Sequence, residues 1–218
     1  MKKSYLSTTL KAQDLELHWL FRVLFIVFFS TIILNVQAQC PIASAKASLT
    51  TICSGTIASI TLSANQVGTT YGWTIVQEGI VGAADGTGTL IAQTLTATDA
   101  TSGSVVYTIT PLANGCKGPS SSVKITVNPI PVITATPLTS TIASNSAVSI
   151  ALTSEAAETE FSWTVIQSGT DGAIAGSGSV INQVLTANAQ KGIATYRITP
   201  DLDGCAGEPI NAKVIVKR

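Results

Sequence analysis

One histidine, His18, and one methionine, Met1, are all that the 218 residues contain, and both fall within residues 1–38. The rest of the chain has no imidazole, which excludes a histidine-based catalytic triad and a histidine-ligated metal site there. Charge is scarce too: Asp, Glu, Lys and Arg make up 11% of the chain, twelve basic groups against twelve acidic ones. Residues 1–38 hold four of the basic groups and two of the acidic ones, so the remainder is slightly acidic. It carries no basic footprint of the kind that nucleic acid requires. Aromatic residues amount to 6%, and four of the five phenylalanines, with Trp19, lie in those same first 38 residues.

What stands at the N-terminus is an uncharged apolar run of 14 residues at 23–36 (VLFIVFFSTIILNV), preceded by a basic start and followed by Val36-Gln37-Ala38. A membrane-spanning helix needs roughly 20 apolar residues, so this run is short and reads as the core of a signal peptide with a small-residue cleavage site. The expected leader is 1–38, leaving Gln39 as the new N-terminus of a secreted protein, extracellular or on the outer cell surface. It touches the membrane only during export. In an oxidising compartment the four cysteines, Cys40, Cys53, Cys116 and Cys205, read as disulfide partners. Three pairings are open to four cysteines.

The segment 71–128 returns as 161–217: Trp73 recurs as Trp163, Gln77 as Gln167, Tyr107 as Tyr196, Pro111 as Pro200 and Cys116 as Cys205. The period is 90 residues at the tryptophans and 89 at the cysteines, and 23 of 57 aligned positions are identical. Two units fill the chain after the leader, at 39–128 and 129–218, with Pro129-Ile130-Pro131 as a short, stiff connector lacking two backbone donors. Within each unit apolar residues alternate: Ile60/Leu62/Ala64, Tyr71/Trp73/Ile75, Val105/Tyr107/Ile109 and Val123/Ile125/Val127, then Val148/Ile150/Leu152, Phe161/Trp163/Val165, Ala194/Tyr196/Ile198 and Ala212/Val214/Val216. A period of two is that of half-buried strands. Turn residues fall between the runs, notably Asn114-Gly115 and Asp203-Gly204. The fold class is therefore all-β: two tandem antiparallel β-sandwiches of immunoglobulin type after the signal peptide. Trp73, Trp163, Tyr107 and Tyr196 fall on the buried parity as core residues, each ring with a polar atom that needs a partner.

The string Thr51-Ile-Cys-Ser-Gly-Thr56, followed by Tyr71-x-Trp-Thr74, Gly86-x-Gly88, Gln93-x-Leu-Thr96, Tyr107-Thr-Ile-Thr-Pro111 and Asn114-Gly-Cys-x-Gly118, resembles the PKD-like (immunoglobulin-like) repeats of Bacteroidota surface and gliding-motility-associated proteins. The resemblance covers both units. It implies an extracellular β-sandwich repeated as a spacer or adhesive module. This chain lacks the Asp-Phe-Gly-Asp-Gly run that follows the tryptophan in ordinary PKD domains, and its second unit reads Ile142-Ala143-Ser144 where the first has Ile52-Cys53-Ser54. The family pattern implies a disulfide between Cys53 and Cys116, closing a loop of about 63 residues for about 4 kcal/mol in the chain-entropy model. In an immunoglobulin-type strand order those two sit at opposite ends, whereas Cys40 shares the end of Cys116. A Cys40–Cys116 pair therefore stands as the alternative. Cys205 has no partner within its own unit and is expected to be a free thiol or an intermolecular link.

Chemistry has little to stand on. Asp201-Leu202-Asp203-Gly204 spaces carboxylates as a calcium loop does, but the matching stretch of the first unit, Leu112-Ala113-Asn114-Gly115, has no acid, so a hairpin turn is the simpler reading. Gly82-x3-Gly86-x-Gly88 and Gly172-x3-Gly176-x-Gly178 lack the Lys-Ser/Thr and the helix of a phosphate loop. Lys124 and Lys213 lie on the solvent parity, and Glu155, Glu158 and Glu160 read as a solvated loop. Glu78 aligns with Ser168, Asp85 with Ala175 and Asp99 with Ala189, so no carboxylate set is shared. No catalytic, cofactor or metal residues are assigned, and the expected role is a non-catalytic structural or adhesive repeat. The alternative is a module binding cell-surface polysaccharide or other surface proteins.

Overall fold

The structure, a computed structural model, describes residues 39–218. The leader expected at 1–38 lies outside the described residues. The first half of the chain forms β1 (Ala43–Ala47), β2 (Thr51–Cys53), β3 (Thr56–Ala64), β4 (Thr70–Glu78), β5 (Ile80–Val81), β6 (Gly86–Thr87), β7 (Leu90–Ala97), β8 (Gly103–Ala113), β9 (Cys116–Lys117) and β10 (Ser121–Asn128). The second half repeats them as β11 (Ile133–Thr136), β12 (Thr139–Ala143), β13 (Ser146–Ser154), β14 (Glu160–Ser168), β15 (Thr170–Asp171), β16 (Gly176–Ser177), β17 (Val180–Ala187), β18 (Lys191–Leu202), β19 (Cys205–Ala206) and β20 (Ile210–Lys217).

Each set of ten strands makes two facing sheets. In the first, β1-β3-β7-β5 opposes β2-β10-β8-β4-β6, with β9 added to β8; in the second, β11-β13-β17-β15 opposes β12-β20-β18-β14-β16, with β19 added to β18. The opening strand of each sandwich is split between its sheets: β1 pairs antiparallel with β3, then β2 runs parallel to β10. The fold class is thus the all-β tandem of immunoglobulin-type sandwiches that the period-two alternation predicts.

The alternation also locates the cores. Val105, Tyr107 and Ile109 of β8 are fully buried, and so are Ala194, Tyr196 and Ile198 of β18, while the residues between them are partly exposed. Lys124 and Lys213 point to solvent. Such strands bury one face because every second side chain is apolar and β-branched or aromatic, at about 25 cal/mol per Å² of apolar surface removed from water.

Turn chemistry fixes the two ends of each sandwich. Asn114 and Gly115 both have positive φ (49° and 75°), as do Asp203 and Gly204 (51° and 84°), the conformation of the tight hairpins that join β8 to β9 and β18 to β19. At this hairpin end Gly118 packs so closely on the carbonyl of Pro41 that a side chain there would collide with it; Gly207 stands in the same relation to Pro131. Each sandwich is therefore entered beside its own hairpin. The opposite end of the first sandwich is marked by Asn128, in register with Cys53, and from there the chain passes through Pro129-Ile130-Pro131 into the second. Pro41–Arg218 form one compact unit.

Candidate functional site

Both tryptophans lie inside, and the same polar latch holds each. The Trp73 indole N–H donates to the carbonyl of Ala84 at 3.1 Å, and the Gln93 amide donates to that carbonyl at 2.9 Å. The amide oxygen of Gln93 accepts from the Ala84 N–H at 3.2 Å and from the Tyr107 hydroxyl at 2.9 Å. The second unit repeats this with Trp163, Ile174, Gln183 and Tyr196. Burial pushes the Tyr107 phenol above its ordinary range and raises that of Tyr196 to about 12. A charged phenolate would lose its hydration in either core. The buried rings that a surface site would need for stacking are thus committed to packing.

The glycine-rich loops serve the same latch. A Cβ on Gly86 would lie 2.6 Å from the Trp73 ring, and one on Gly176 would lie 2.8 Å from that of Trp163, so only glycine lets β6 and β16 cross over the indoles. Asp201 accepts from the Gly204 N–H at 2.8 Å, fixing its hairpin. Among the described residues no group of three or more His, Cys, Asp or Glu side chains is placed to hold a metal ion.

The cysteines depart from the expectation drawn from the family pattern. Cys53 is bonded to Cys205, not to Cys116, with Cα atoms 5.5 Å apart and 152 residues between them in sequence. The reason is the length of β10. Cys53 lies level with Asn128 at its far end, whereas Cys116 belongs to the hairpin that precedes Ser121 at its near end. Eight residues of strand separate these levels by roughly 25 Å, and a disulfide spans no more than about 7 Å between Cα atoms. The hairpin of the second sandwich, by contrast, sits beside the connector and delivers Cys205 to Cys53. Cys205 is therefore neither a free thiol nor an intermolecular link, and none of the described cysteines is free.

Around this bond the junction is polar, with Asn128 and Cys205 buried and Ser102, Asp203 and Gly204 exposed. Asn128 is 3% exposed; its side-chain oxygen accepts from the Ser102 hydroxyl at 2.8 Å and its amide donates to the Asp203 carboxylate at 3.5 Å. Its carbonyl accepts from the Ser54 N–H at 2.8 Å. The hairpin carboxylate considered for calcium thus faces the end of the first sandwich.

On the outer face of the larger sheet of each unit lies a groove that sequence reasoning did not find. In the first it measures about 930 Å³ and is lined by Thr70, Thr74, Thr108, Thr110, Leu112 and Lys117, with Gly72 as its floor. In the second it is about 520 Å³, with Ser162, Glu160 and Asp201 at the positions of Gly72, Thr70 and Leu112. Glu160 and Asp201 are cross-strand partners, as are Thr70 and Leu112. The one sequence signal was Gly72, a glycine inside a strand, which marks a place where something can approach the backbone.

Comparison with characterised protein sequences finds no match. Among solved structures the chain is similar to the Escherichia coli adhesin FdeC, with 15% identity over 79% of this chain and 63% of that one and a TM-score of 0.43. It is also similar to the Yersinia pseudotuberculosis adhesin InvE, with 14% identity over 79% and 58% of the two chains and a TM-score of 0.26. The fibronectin(III)-like modules of Clostridium thermocellum CbhA give 14% identity, 81% and 94% coverage, and a TM-score of 0.35. The chain spans less than two thirds of the length of either adhesin. A model of the PKD-like domain matches residues 50–131 and again 140–218, and the chain accordingly belongs to the PKD-like domain family.

Proposed function

We propose that the protein is a non-catalytic extracellular module, a pair of PKD-like domains that spaces or presents an adhesive element at a cell surface. The observation that carries this reading is the disulfide between Cys53 and Cys205, which joins the end of one sandwich covalently to the hairpin of the next. A covalently braced two-domain body suits reach and presentation, and disulfides belong to oxidising compartments. The basic and apolar leader at 1–38 accords with export. The resemblance to Bacteroidota surface and gliding-motility-associated repeats belongs to the same reading. The test is to label intact cells of the source organism with an antibody to the chain, and to compare adhesion with and without the second unit. A spacer loses reach and keeps its binding partner when one unit is deleted. An intracellular location overturns the reading.

The groove over Gly72 favours a second reading, a site for polysaccharide or a surface protein. Saturable binding of a glycan, abolished by Thr108→Arg and kept by Thr195→Arg outside the groove, supports it; no saturable binding to a broad glycan panel removes it.

A further inference from the structure

We propose that the bond between Cys53 and Cys205 is a strain-limiting clasp, through which a pull along the chain passes without unravelling either core. The mechanics follow from connectivity alone; their use as a surface tether rests on the module reading above.

Force has two covalent paths through the molecule. A pull applied at Pro41 and Arg218 can run through the backbone of both sandwiches or take the covalent shortcut at Cys53 and Cys205. The shortcut uses only residues 41–53 and 205–218; the bond encloses everything else, from β3 to β18. Trp73, Tyr107, Trp163 and Tyr196, with the latches that hold them, lie inside the enclosed stretch, where tension does not reach. The two short segments are strand for much of their length. Residues 41–53 contain β1 and β2 and run from the hairpin end of the first sandwich, where Pro41 meets Gly118, to the far end, where Cys53 meets Asn128. Residues 205–218 contain β19 and β20 and run from the hairpin end of the second sandwich to Lys217, in register with Ala143. Each segment thus spans its sandwich end to end in extended chain, so the tethered path holds little slack.

The size of the effect is set by the reach of an extended chain, about 3.5 Å per residue. With the bond intact, the 27 residues of the shortcut stretch to about 95 Å even if β1, β2, β19 and β20 peel away. With the protein's disulfides reduced, the 178 residues of Pro41–Arg218 can stretch to about 620 Å. A covalent link that shortens the extensible chain severalfold changes the protein from a spring of two unfoldable domains into a nearly inextensible strap.

Pulling the whole chain by handles at its two ends in optical tweezers tests this. The oxidised protein is expected to release no more than about 95 Å from Pro41–Arg218 at any force below that which breaks the handles, and an added thiol reductant is expected to lengthen the same molecule by several hundred ångströms. Cys53→Ser with Cys205→Ser is expected to reach at least threefold further than the oxidised wild type without reductant. Should that variant fail to fold, oxidised against reduced wild type decides alone. If the oxidised protein releases the same length as the reduced one, the clasp is refuted. Failure of surface labelling with the clasp intact would refute only the tether setting, so the two ideas fail separately.

Discussion

The two sandwiches share strand order, hairpin conformation and polar latch, yet differ at most positions that meet solvent or a neighbour. Trp73, Gln93, Tyr107 and Gly86 have identical counterparts in Trp163, Gln183, Tyr196 and Gly176, and those residues make the same bonds. Asp85, which accepts from the Ile75 N–H at 2.8 Å at the edge of β4, is replaced by Ala175; in the second unit Gln167 instead accepts from the Ala173 N–H at 3.2 Å. Gly72 becomes Ser162, Leu112 becomes Asp201, and Cys53 becomes Ala143. The frame is held by a few buried groups whose partners are obligatory, since an unmet polar atom in a core costs about 1–3 kcal/mol. The surface and the junction are where one unit can be made different from the other.

The strongest way to break the comparison is to remove what only the first unit has at its far end. Cys53→Ser with Cys205→Ser is expected to lower stability by up to about 5 kcal/mol, the chain-entropy value for a loop of this length, and to let the units unfold separately in calorimetry. Trp73→Ala is expected to cost roughly 3–5 kcal/mol and to unfold the first unit, with Trp163→Ala doing the same to the second. Equal losses in urea denaturation would show that the shared latch contributes equally in both frames; a near-normal transition for either would mean that its ring is not core. Asp85→Ala tests the difference at the edge of β4, with an expected cost of about 1 kcal/mol for one exposed hydrogen bond and none for the second unit, which already has alanine there.

The smallest effect is in alkali. Because burial raises the phenol of Tyr196, its contribution to stability is complete below the ordinary phenol value near 10 and is lost as pH rises through about 12. Tyr107 shifts in the same direction. Ultraviolet titration of the folded protein should show both phenols ionising late, with Tyr196→Phe removing the step near 12.

Much of this frame could be read without coordinates. Period-two alternation identified Ile60, Tyr107, Ile150 and Tyr196 as buried because a pleated strand has only two faces and one of them here is apolar throughout. The turns at Asn114-Gly115 and Asp203-Gly204 were legible for the same local reason. The cysteine pairing was not. Period and parity act within a unit, whereas Cys53 meets a residue 152 positions away across a junction. One clue was present in the repeat: Cys116 and Cys205 match each other, while Cys53 has only Ala143 as its counterpart, which points outside its own unit. The grooves escaped notice because they arise from a missing side chain, at Gly72, and from threonines, a serine and two acids scattered over β4, β8, β14 and β18.

Enclosing residues 54–204 in a covalent ring also bears on cleavage. A protease that cuts one exposed tip, such as the turn around the fully exposed Val67 or the one around Glu158, severs the backbone without dividing the molecule. The fragments before and after the nick stay joined through Cys53 and Cys205. Two cuts on the enclosed stretch would still leave the N-terminal and C-terminal segments attached to one another. Under proteolysis, continuity from one end to the other then depends on two short strand-bearing segments and one sulfur–sulfur bond, and not on the integrity of every loop between them.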